Sequence, residues 1–177
     1  MLDGSDRSPS GHRCNDPSEN DRSEIGRYHF MSEFKRVSLA HSPPSWVKDG
    51  SLFFLTICCE ERGRNQLCDT AVAESLLGAA SFYMNQSSWF VRLFLLMPDH
   101  CHALISFPPD SNMSETIGNW KRYTAKKTGV NWQKGYFDHR IRCDESWEEK
   151  ADYIRMNPVR KDLVSNSSDW AWVLENK

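Results

Sequence analysis

The sequence has no apolar run of the roughly 20 residues that a membrane-spanning helix needs. Its first residues are polar and lack the apolar centre of a signal peptide, so no export signal is expected. It also has no internal repeat and no pattern that marks a second domain. These absences favour a cytoplasmic protein over a membrane, secreted or repeat protein.

No two cysteines stand as a CxxC pair, the spacing typical of zinc and redox sites. Several cysteines lie within apolar runs, where a thiol packs as a small hydrophobic group. A cysteine-based zinc site is therefore not expected, and the pattern fits a reducing compartment. The six cysteines occupy positions 14, 58, 59, 68, 101 and 143.

The chain also lacks the positive charge that is common in nucleic-acid-binding proteins, since its formal net charge is -2. The deficit comes from residues 1–32, which carry four Arg against six Asp or Glu. Residues 121–161 carry eleven basic and six acidic side chains. Such a local excess suits a phosphate-binding surface or an ordinary solvated face, so net charge excludes no nucleic-acid function.

The sequence does have the material for a buried core, with a hydrophobic content of 39% and seven Trp. Residues 1–32 show no apolar periodicity and are rich in Ser, Asp, Asn and Arg, which predicts a disordered N-terminal tail. Met31 is an alternative start of the protein. Residues 33–177 are predicted to form one domain.

Short apolar runs predict strands, and apolar residues at helical spacing predict helices. Four strands are expected, at residues 52–59, 89–96, 101–107 and 136–143. Three helices are expected, at residues 70–85 with Thr70 as the cap, at 114–128, and at 145–157, where Pro158 ends the last. The order predicts an α+β, ferredoxin-like (RRM-like) antiparallel sheet with helices on one face plus an extra C-terminal helix.

His100 and His102 stand two residues apart at the start of a predicted strand. Because side chains of a strand alternate between its faces, both imidazoles are expected on one face and Cys101 on the other. Two neighbouring imidazoles can chelate a divalent ion, although an HxH pair also occurs by chance. Side chains at a strand start are not expected to belong to the core, so alanine at either histidine should leave the fold intact.

Tyr153 and Asn157 are spaced i, i+4 on the last predicted helix and therefore share one face of it. A tyrosine hydroxyl can attack a phosphodiester. The asparagine oxygen one turn later can complete the coordination of a metal ion. The alternative interpretation of the pair is a core tyrosine and an asparagine that ends a helix before proline.

Two segments in this order resemble the REP-associated tyrosine transposases, which belong to the HUH group (His, hydrophobic, His) of single-strand endonucleases. They are LLMPDHCHALI at 95–105 and YIRMNPVRKDLV at 153–164. Three further segments share the resemblance, PPSWV at 43–47, WKRYTAKKTG at 120–129 and YFDHRIRCDES at 136–146. The resemblance covers roughly residues 37–173. It departs from the family at Lys161-Asp162, where relatives often have a small residue and Gly, which bears on how the last helix ends.

The resemblance implies a catalytic role for Tyr153 and a metal site formed by His100, His102 and Asn157. It implies cleavage of single-stranded hairpin (REP-like palindromic) DNA through a 5′-phosphotyrosine link, with Mg²⁺ or Mn²⁺ and without a nucleotide cofactor. The protein is then expected to be a cytoplasmic, nucleoid-associated monomer or homodimer that binds no membrane.

Further residues are candidates for binding DNA. The predicted second helix carries a basic run that suits phosphates and stacked bases, or a solvated face. Asp99 and His139 could each reach a metal ion, but a turn-shaping role is preferred for Asp99 and a DNA-facing or structural role for His139. The candidate DNA-binding residues are Lys121, Arg122, Tyr123, Lys126, Lys127, His139, Arg140 and Arg142.

Two other classes of protein stay open at this point. One is a hairpin DNA-binding protein of the same fold without cleavage activity. The other is a metal-dependent hydrolase or an RNA-binding protein with a ferredoxin-like sheet, although the strands lack the aromatic signature of RRM domains. Only the nuclease forms a covalent protein–DNA adduct.

Overall fold

The computed structural model describes residues 50–142 and 145–176. The predicted tail, its boundary at residue 32 and the PPSWV segment therefore lie outside the described residues. The strands within them are β1 Leu52–Cys58, β2 Phe90–Met97, β3 His100–Ser106, β4 Phe137–Arg140 and β5 Val173–Glu175. The helices are α1 Thr70–Asn85, α2 Met113–Thr128, α3 Trp147–Arg155 and α4 Asn157–Arg160.

The strands form one antiparallel sheet in the order β4-β1-β3-β2-β5. The central strand β3 pairs with β1 and β2 along its whole length, so its backbone is held on both sides. In this register Thr56 of β1 and Leu95 of β2 lie directly opposite His102. The predicted α+β fold with an antiparallel sheet is confirmed.

Both faces of the sheet are covered. Helices α1 and α2 pack on one face, around Trp89, Phe94 and Trp120. Helix α3 covers the opposite face, where Ala151 and Ile154 pack against apolar side chains of β1, β2 and β3. The extra helix therefore lies across the sheet from the first two. No described helix is long and apolar enough to cross a membrane.

Three local differences from the sequence-based expectations have physical causes. Asp69, not Thr70, caps α1, because its carboxylate accepts the N–H groups of Ala71 and Val72. Strand β4 is half as long as expected, because it lies at the sheet edge and its partner β1 begins at Leu52. Strand β5 was not expected, because its three residues carry too short a pattern to indicate a strand.

Candidate active site

The two histidines of β3 lie side by side on the face that α3 covers. Their ring centroids are 4.8 Å apart and the rings stand at 84° to each other. Cys101 between them is 1% exposed and belongs to the core on the other face. The predicted same-face geometry is confirmed, and it follows from the alternation of side chains along a strand.

His102 is a buried imidazole with a fixed orientation. It stacks on Phe54 at a centroid distance of 5.5 Å, and its Nδ1 lies 2.9 Å from the hydroxyl of Thr56. Burial, with smaller effects from His100 and Arg62, lowers its pKa well below the usual value. The ring is therefore neutral at neutral pH, the form that binds metal ions. The expectation that this side chain lies outside the core is wrong, because it is 7% exposed.

His100 is oriented by the residue before it. Its Nδ1 lies 2.6 Å from the Asp99 carboxylate, which can only accept, so Nδ1 donates the hydrogen and Nε2 is the nitrogen left to bind a metal ion in the neutral ring. The same carboxylate accepts the backbone N–H of Gly63 at 2.7 Å and pairs with Arg62 at 3.0 Å. Carboxylates commonly hold metal-binding histidines in this way. Asp99 is thus a positioning residue, a role that the sequence-based interpretation missed.

These contacts determine the ionisation of Asp99. Burial alone would raise the pKa of its carboxyl. The hydrogen bonds from His100 and Gly63 and the charge of Arg62 outweigh that effect and hold the pKa at about 2, below the usual 3.8. The carboxylate is therefore charged across the whole physiological range and keeps His100 in one orientation.

The low pKa of Asp99 predicts a pH-dependent contribution to the stability of the metal-free protein. The folded-state pKa of about 2 lies below the usual 3.8. The contribution of Asp99 to the free energy of unfolding is therefore complete at pH values above 3.8 and is lost as the pH falls through about 2. The difference corresponds to about 2 kcal/mol of unfolding free energy. Urea unfolding of wild type and Asp99→Asn should differ by about this amount at neutral pH and converge as pH falls from about 4 towards 2.

Asp152→Asn is the matched control for this comparison. Its side chain is 72% exposed and pairs with Arg155 on the helix surface. Exposed pairs of this kind contribute at most about 1 kcal/mol, so this variant should unfold nearly as wild type does. A gap between wild type and Asp99→Asn that stays constant down to the lowest pH would show that the lowered pKa is not its cause.

Tyr153 lies over the histidine face of the sheet. Its ring centroid is 6.2 Å from that of His102 and 6.3 Å from that of Phe54. The guanidinium of Arg160 stands 4.9 Å from the centroid of the tyrosine ring. The tyrosine is half-buried, so it is neither a core residue nor freely mobile. One chain therefore brings a tyrosine ring, a histidine pair and a positive charge to one place.

Asn157 is held one turn after the tyrosine. Its Nδ2 donates to the backbone carbonyl of Tyr153 at 2.9 Å, and the side chain is 7% exposed. With the nitrogen used in this bond, Oδ1 is the atom left to ligate a metal ion. Helix α3 ends at Arg155, two residues earlier than predicted, so Asn157 does not share a helix with Tyr153 but begins α4, with Pro158 in its first turn. Asp162, one of the two positions at which the sequence departs from the resembled family, has a backbone φ of 55°. Gly favours this left-handed conformation and Asp tolerates it.

The predicted ligand set fits a divalent ion by its chemistry. Two imidazole nitrogens and one amide oxygen form a mixed set that leaves coordination positions open for phosphate oxygens. Within residues 50–142 and 145–176, no three His, Cys, Asp or Glu side chains form a metal-binding group. The predicted ligand set has only two side chains of these kinds, because its third donor is the amide of Asn157.

The basic residues of α2 lie on the opposite face of the sheet from the histidines. The Nζ of Lys121 donates to three consecutive backbone carbonyls, at 133–135, so this ammonium holds a loop. The other four candidates of this helix are exposed to solvent; they are Arg122, Tyr123, Lys126 and Lys127. The structure therefore does not bring them together with the tyrosine.

The candidates near β4 separate between the two faces. His139 pairs with Phe54 in the register and so faces the tyrosine side, where its Nε2 lies 2.7 Å from the carboxylate of Glu145. Arg140 lies one residue further along the strand, on the other face, and Arg142 is exposed beyond the strand end. The contact with Glu145 indicates a structural role for His139 rather than membership of the ligand set.

Comparisons with known proteins give the same architecture. The solved structure of a REP-associated tyrosine transposase bound to a REP hairpin superposes with a TM-score of 0.63 at 24% identity, covering 81% of this chain and 82% of that one. A REP-associated tyrosine transposase from Escherichia coli (strain K12) is 27% identical over 143 residues, which are 79% of this chain and 80% of the relative.

The match to a family model covers the predicted nucleophile and all three predicted metal ligands. The model for IS200-like transposases matches residues 54–157, more than half of the 177-residue chain. The matched range starts at Phe54, which stacks on His102, and ends at Asn157. On this match, the chain belongs to the family of IS200-like transposases.

Proposed function

We propose that this transposase cuts single-stranded hairpin DNA by attack of Tyr153 on a phosphodiester and rejoins strands through the resulting link. The observation that carries the proposal is the position of the tyrosine ring, 6.2 Å from that of His102 and within the same chain. The names of the Escherichia coli relative and of the hairpin-bound structure support a REP-like palindromic hairpin as the substrate class.

The proposed reaction exchanges one phosphodiester for another. The Tyr153 oxygen forms a bond to phosphorus, the bond from phosphorus to the 3′ oxygen breaks, and the phenolic proton ends on that oxygen. The products are a 5′-phosphotyrosine link and a free 3′-hydroxyl. Attack of a 3′-hydroxyl on the link reverses these steps and frees the tyrosine. Because a phosphoester bond is kept throughout, the reaction needs no nucleotide cofactor.

Contacts within the chain prepare this site before DNA binds. His100, His102 and Asn157 would hold Mg²⁺ or Mn²⁺, which when bound polarises the scissile phosphate and offsets developing charge. Asp99 orients the first imidazole and Thr56 the second. The hydrogen bond from Asn157 to the Tyr153 carbonyl joins the third ligand to the nucleophile, so the two are positioned together.

All these groups come from one chain, so a monomer is sufficient for the proposed reaction. A homodimer would need to leave Tyr153 and the histidine pair accessible to DNA. The proposed substrate also implies a cytoplasmic, nucleoid-associated protein. The guanidinium of Arg160, 4.9 Å from the centre of the tyrosine ring, would favour the negative charge of the proposed phosphotyrosine.

The experiment that tests the proposal is incubation of labelled single-stranded hairpins with the protein and Mg²⁺ or Mn²⁺, followed by a denaturing gel. The proposal predicts a shortened strand and a slower band of protein covalently joined to DNA. A hairpin-binding protein without cleavage activity gives neither band, and a metal-dependent hydrolase gives the shortened strand alone.

Paired DNA should be a poor substrate. The tyrosine is half-buried on a helix over a sheet, so the attacked strand must leave its duplex before the phosphate can approach. We therefore expect blunt duplex of the same sequence to be cut at least about tenfold more slowly than the hairpin, since unpairing costs a few kcal/mol. Equal cutting of duplex and hairpin would contradict this substrate preference.

DNA binding should also weaken as the salt concentration rises, because the proposal assigns phosphate contacts to basic residues at 121–142.

A further inference from the structure

A second candidate binding surface lies on the helices that cover the sheet face opposite the candidate active site. Helices α1 and α2 pack there, and a cleft of about 210 Å³ is lined by Phe82, Tyr83, Ser88 and Tyr123. Phe82 is 58% exposed and Tyr123 is 48% exposed. Exposed aromatic side chains grouped at a cleft are typical of interaction surfaces, whereas single exposed apolar residues are ordinary. These four residues are called the aromatic groove below.

The groove has a rigid base. The ring of Tyr83 packs on the buried Trp89 at a centroid distance of 5.4 Å, and Phe82 meets Tyr83 edge-on at 6.2 Å. Trp89 is fully buried and its Nε1 donates to the backbone carbonyl of Ala80 in α1. The core therefore holds the base of the groove in place, while the rings of Phe82 and Tyr123 stay open to solvent.

Positive charge lies on α2, along one side of the aromatic groove. Arg122, Lys126 and Lys127 are exposed on α2, and the Nζ of Lys127 stands 5.9 Å from the centre of the Tyr123 ring. Burial raises the pKa of the Tyr83 phenol and the charge of Arg122 opposes that rise, so Arg122 lies close enough to act on the groove. The nearest acidic residues in sequence, Glu115 on α2 and Glu74 on α1, stand about two turns before the groove residues.

We propose that the aromatic groove binds single-stranded DNA, with a base stacked on Tyr123 and Phe82 and the backbone phosphates at Arg122, Lys126 and Lys127. Proteins hold single strands by this combination of stacking rings and basic side chains. The groove is smaller than the roughly 300–1,000 Å³ of a pocket that encloses a drug-sized ligand, which suits a flat ring laid at its surface.

The choice of DNA as the ligand rests on the proposed function. Because the groove lies across the sheet from Tyr153, the nucleotides that it holds are not those beside the cleaved phosphate. They belong to a single-stranded segment that flanks the hairpin and wraps around the sheet edge. The groove therefore lengthens the recognised DNA beyond the hairpin without taking part in the chemistry.

The test is equilibrium binding of a short fluorescent oligothymidine, which forms no hairpin, to the full chain. We expect Tyr123→Ala to bind about 10-fold more weakly, the effect of losing one base stack, and Tyr123→Phe to bind as wild type does. Phe90→Ala is the matched control, since Phe90 is 49% exposed but lies outside the groove, and its binding should not change. Lys127→Gln should lower the slope of log affinity against log salt by about one.

Photocrosslinking identifies the groove independently of the variants. Oligothymidine carrying 5-iodouracil should crosslink to Tyr123 or Phe82, as located by mass spectrometry of the peptides. Unchanged oligothymidine binding by Tyr123→Ala would overturn the inference. Crosslinks confined to the candidate active site around Tyr153 would overturn it as well. So would a dimer in sedimentation that Tyr123→Ala dissociates while oligothymidine binding is unchanged, because the groove would then hold a second copy. Failure of the proposed function is distinct from these outcomes, since it shows as hairpins that form no adduct.

Discussion

The Tyr153→Phe variant is expected to bind hairpin DNA as wild type does and to cleave none of it. The substitution removes one oxygen and keeps the ring, so the contacts with His102, Phe54 and Arg160 persist and the fold is unchanged. Without that oxygen no bond to phosphorus can form. We therefore expect cleavage to fall by about 10⁴-fold or more, the scale seen when a nucleophile is removed.

A gel-shift titration with labelled hairpin measures binding, and a denaturing gel measures cleavage by the same protein. Tyr136→Phe is the matched control. Its hydroxyl lies 3.0 Å from that of Ser114 and its ring packs in the core on the other face of the sheet, so it should cut at the wild-type rate. Undiminished cleavage by Tyr153→Phe would show that the nucleophile is another group.

Loss of either histidine is expected to reduce cleavage below detection at any metal concentration. His100→Ala removes a side chain that is 13% exposed and linked to Asp99. His102→Ala also removes a buried ring that stacks on Phe54, so we expect it to lose about 2 kcal/mol of stability or more. His102→Gln keeps more of the volume and separates the loss of a ligand from the loss of packing.

Asn157→Ala is expected to behave differently from the histidine variants. It leaves the tyrosine and both imidazoles in place, so cleavage should be slow and should recover in part when Mg²⁺ or Mn²⁺ is raised. Cleavage rates across a metal titration, with thermal unfolding of each variant, separate these effects. His139→Gln is the control, because His139 binds Glu145, and its metal requirement should equal that of wild type. EDTA-treated wild type and histidine variants that cut as fast as metal-loaded wild type would show that the metal site is elsewhere.

The elements that depend on local pattern were predictable from the sequence. Helix α1 has the predicted range, because its apolar residues recur at helical spacing through Asn85. The same-face position of His100 and His102 follows from strand alternation alone. The end of α3 before Pro158 follows from the missing N–H of proline.

The groups that position the histidines were not predictable, because they come from distant parts of the chain. Thr56 is 46 residues from His102 in sequence, and the two meet only because β1 pairs with β3 in one particular register. Gly63 reaches Asp99 across 36 residues. A sequence pattern carries no information on such pairing. The only local signal was an acidic residue directly before the HxH pair.

The side of the sheet on which a helix packs was also beyond local pattern. An apolar stripe shows that a helix is buried, but both sheet faces here are apolar. The sequence therefore predicts a basic run at 121–127 as a candidate DNA surface, but it does not predict that this run lies across the sheet from Tyr153. Lys121 shows the same limit of sequence patterns. Its ammonium donates to backbone carbonyls of residues 133 and 135, and no sequence spacing predicts that contact.

The most direct test of the central claim is mass spectrometry of the covalent adduct formed with a single-stranded hairpin. After nuclease and protease digestion, we predict one modified peptide, with a nucleotide joined through its 5′-phosphate to the oxygen of Tyr153. Such a peptide would identify the nucleophile as the tyrosine whose ring lies 6.2 Å from that of His102. An adduct on Tyr123 or Tyr136, or strand cleavage without any adduct, would contradict the account.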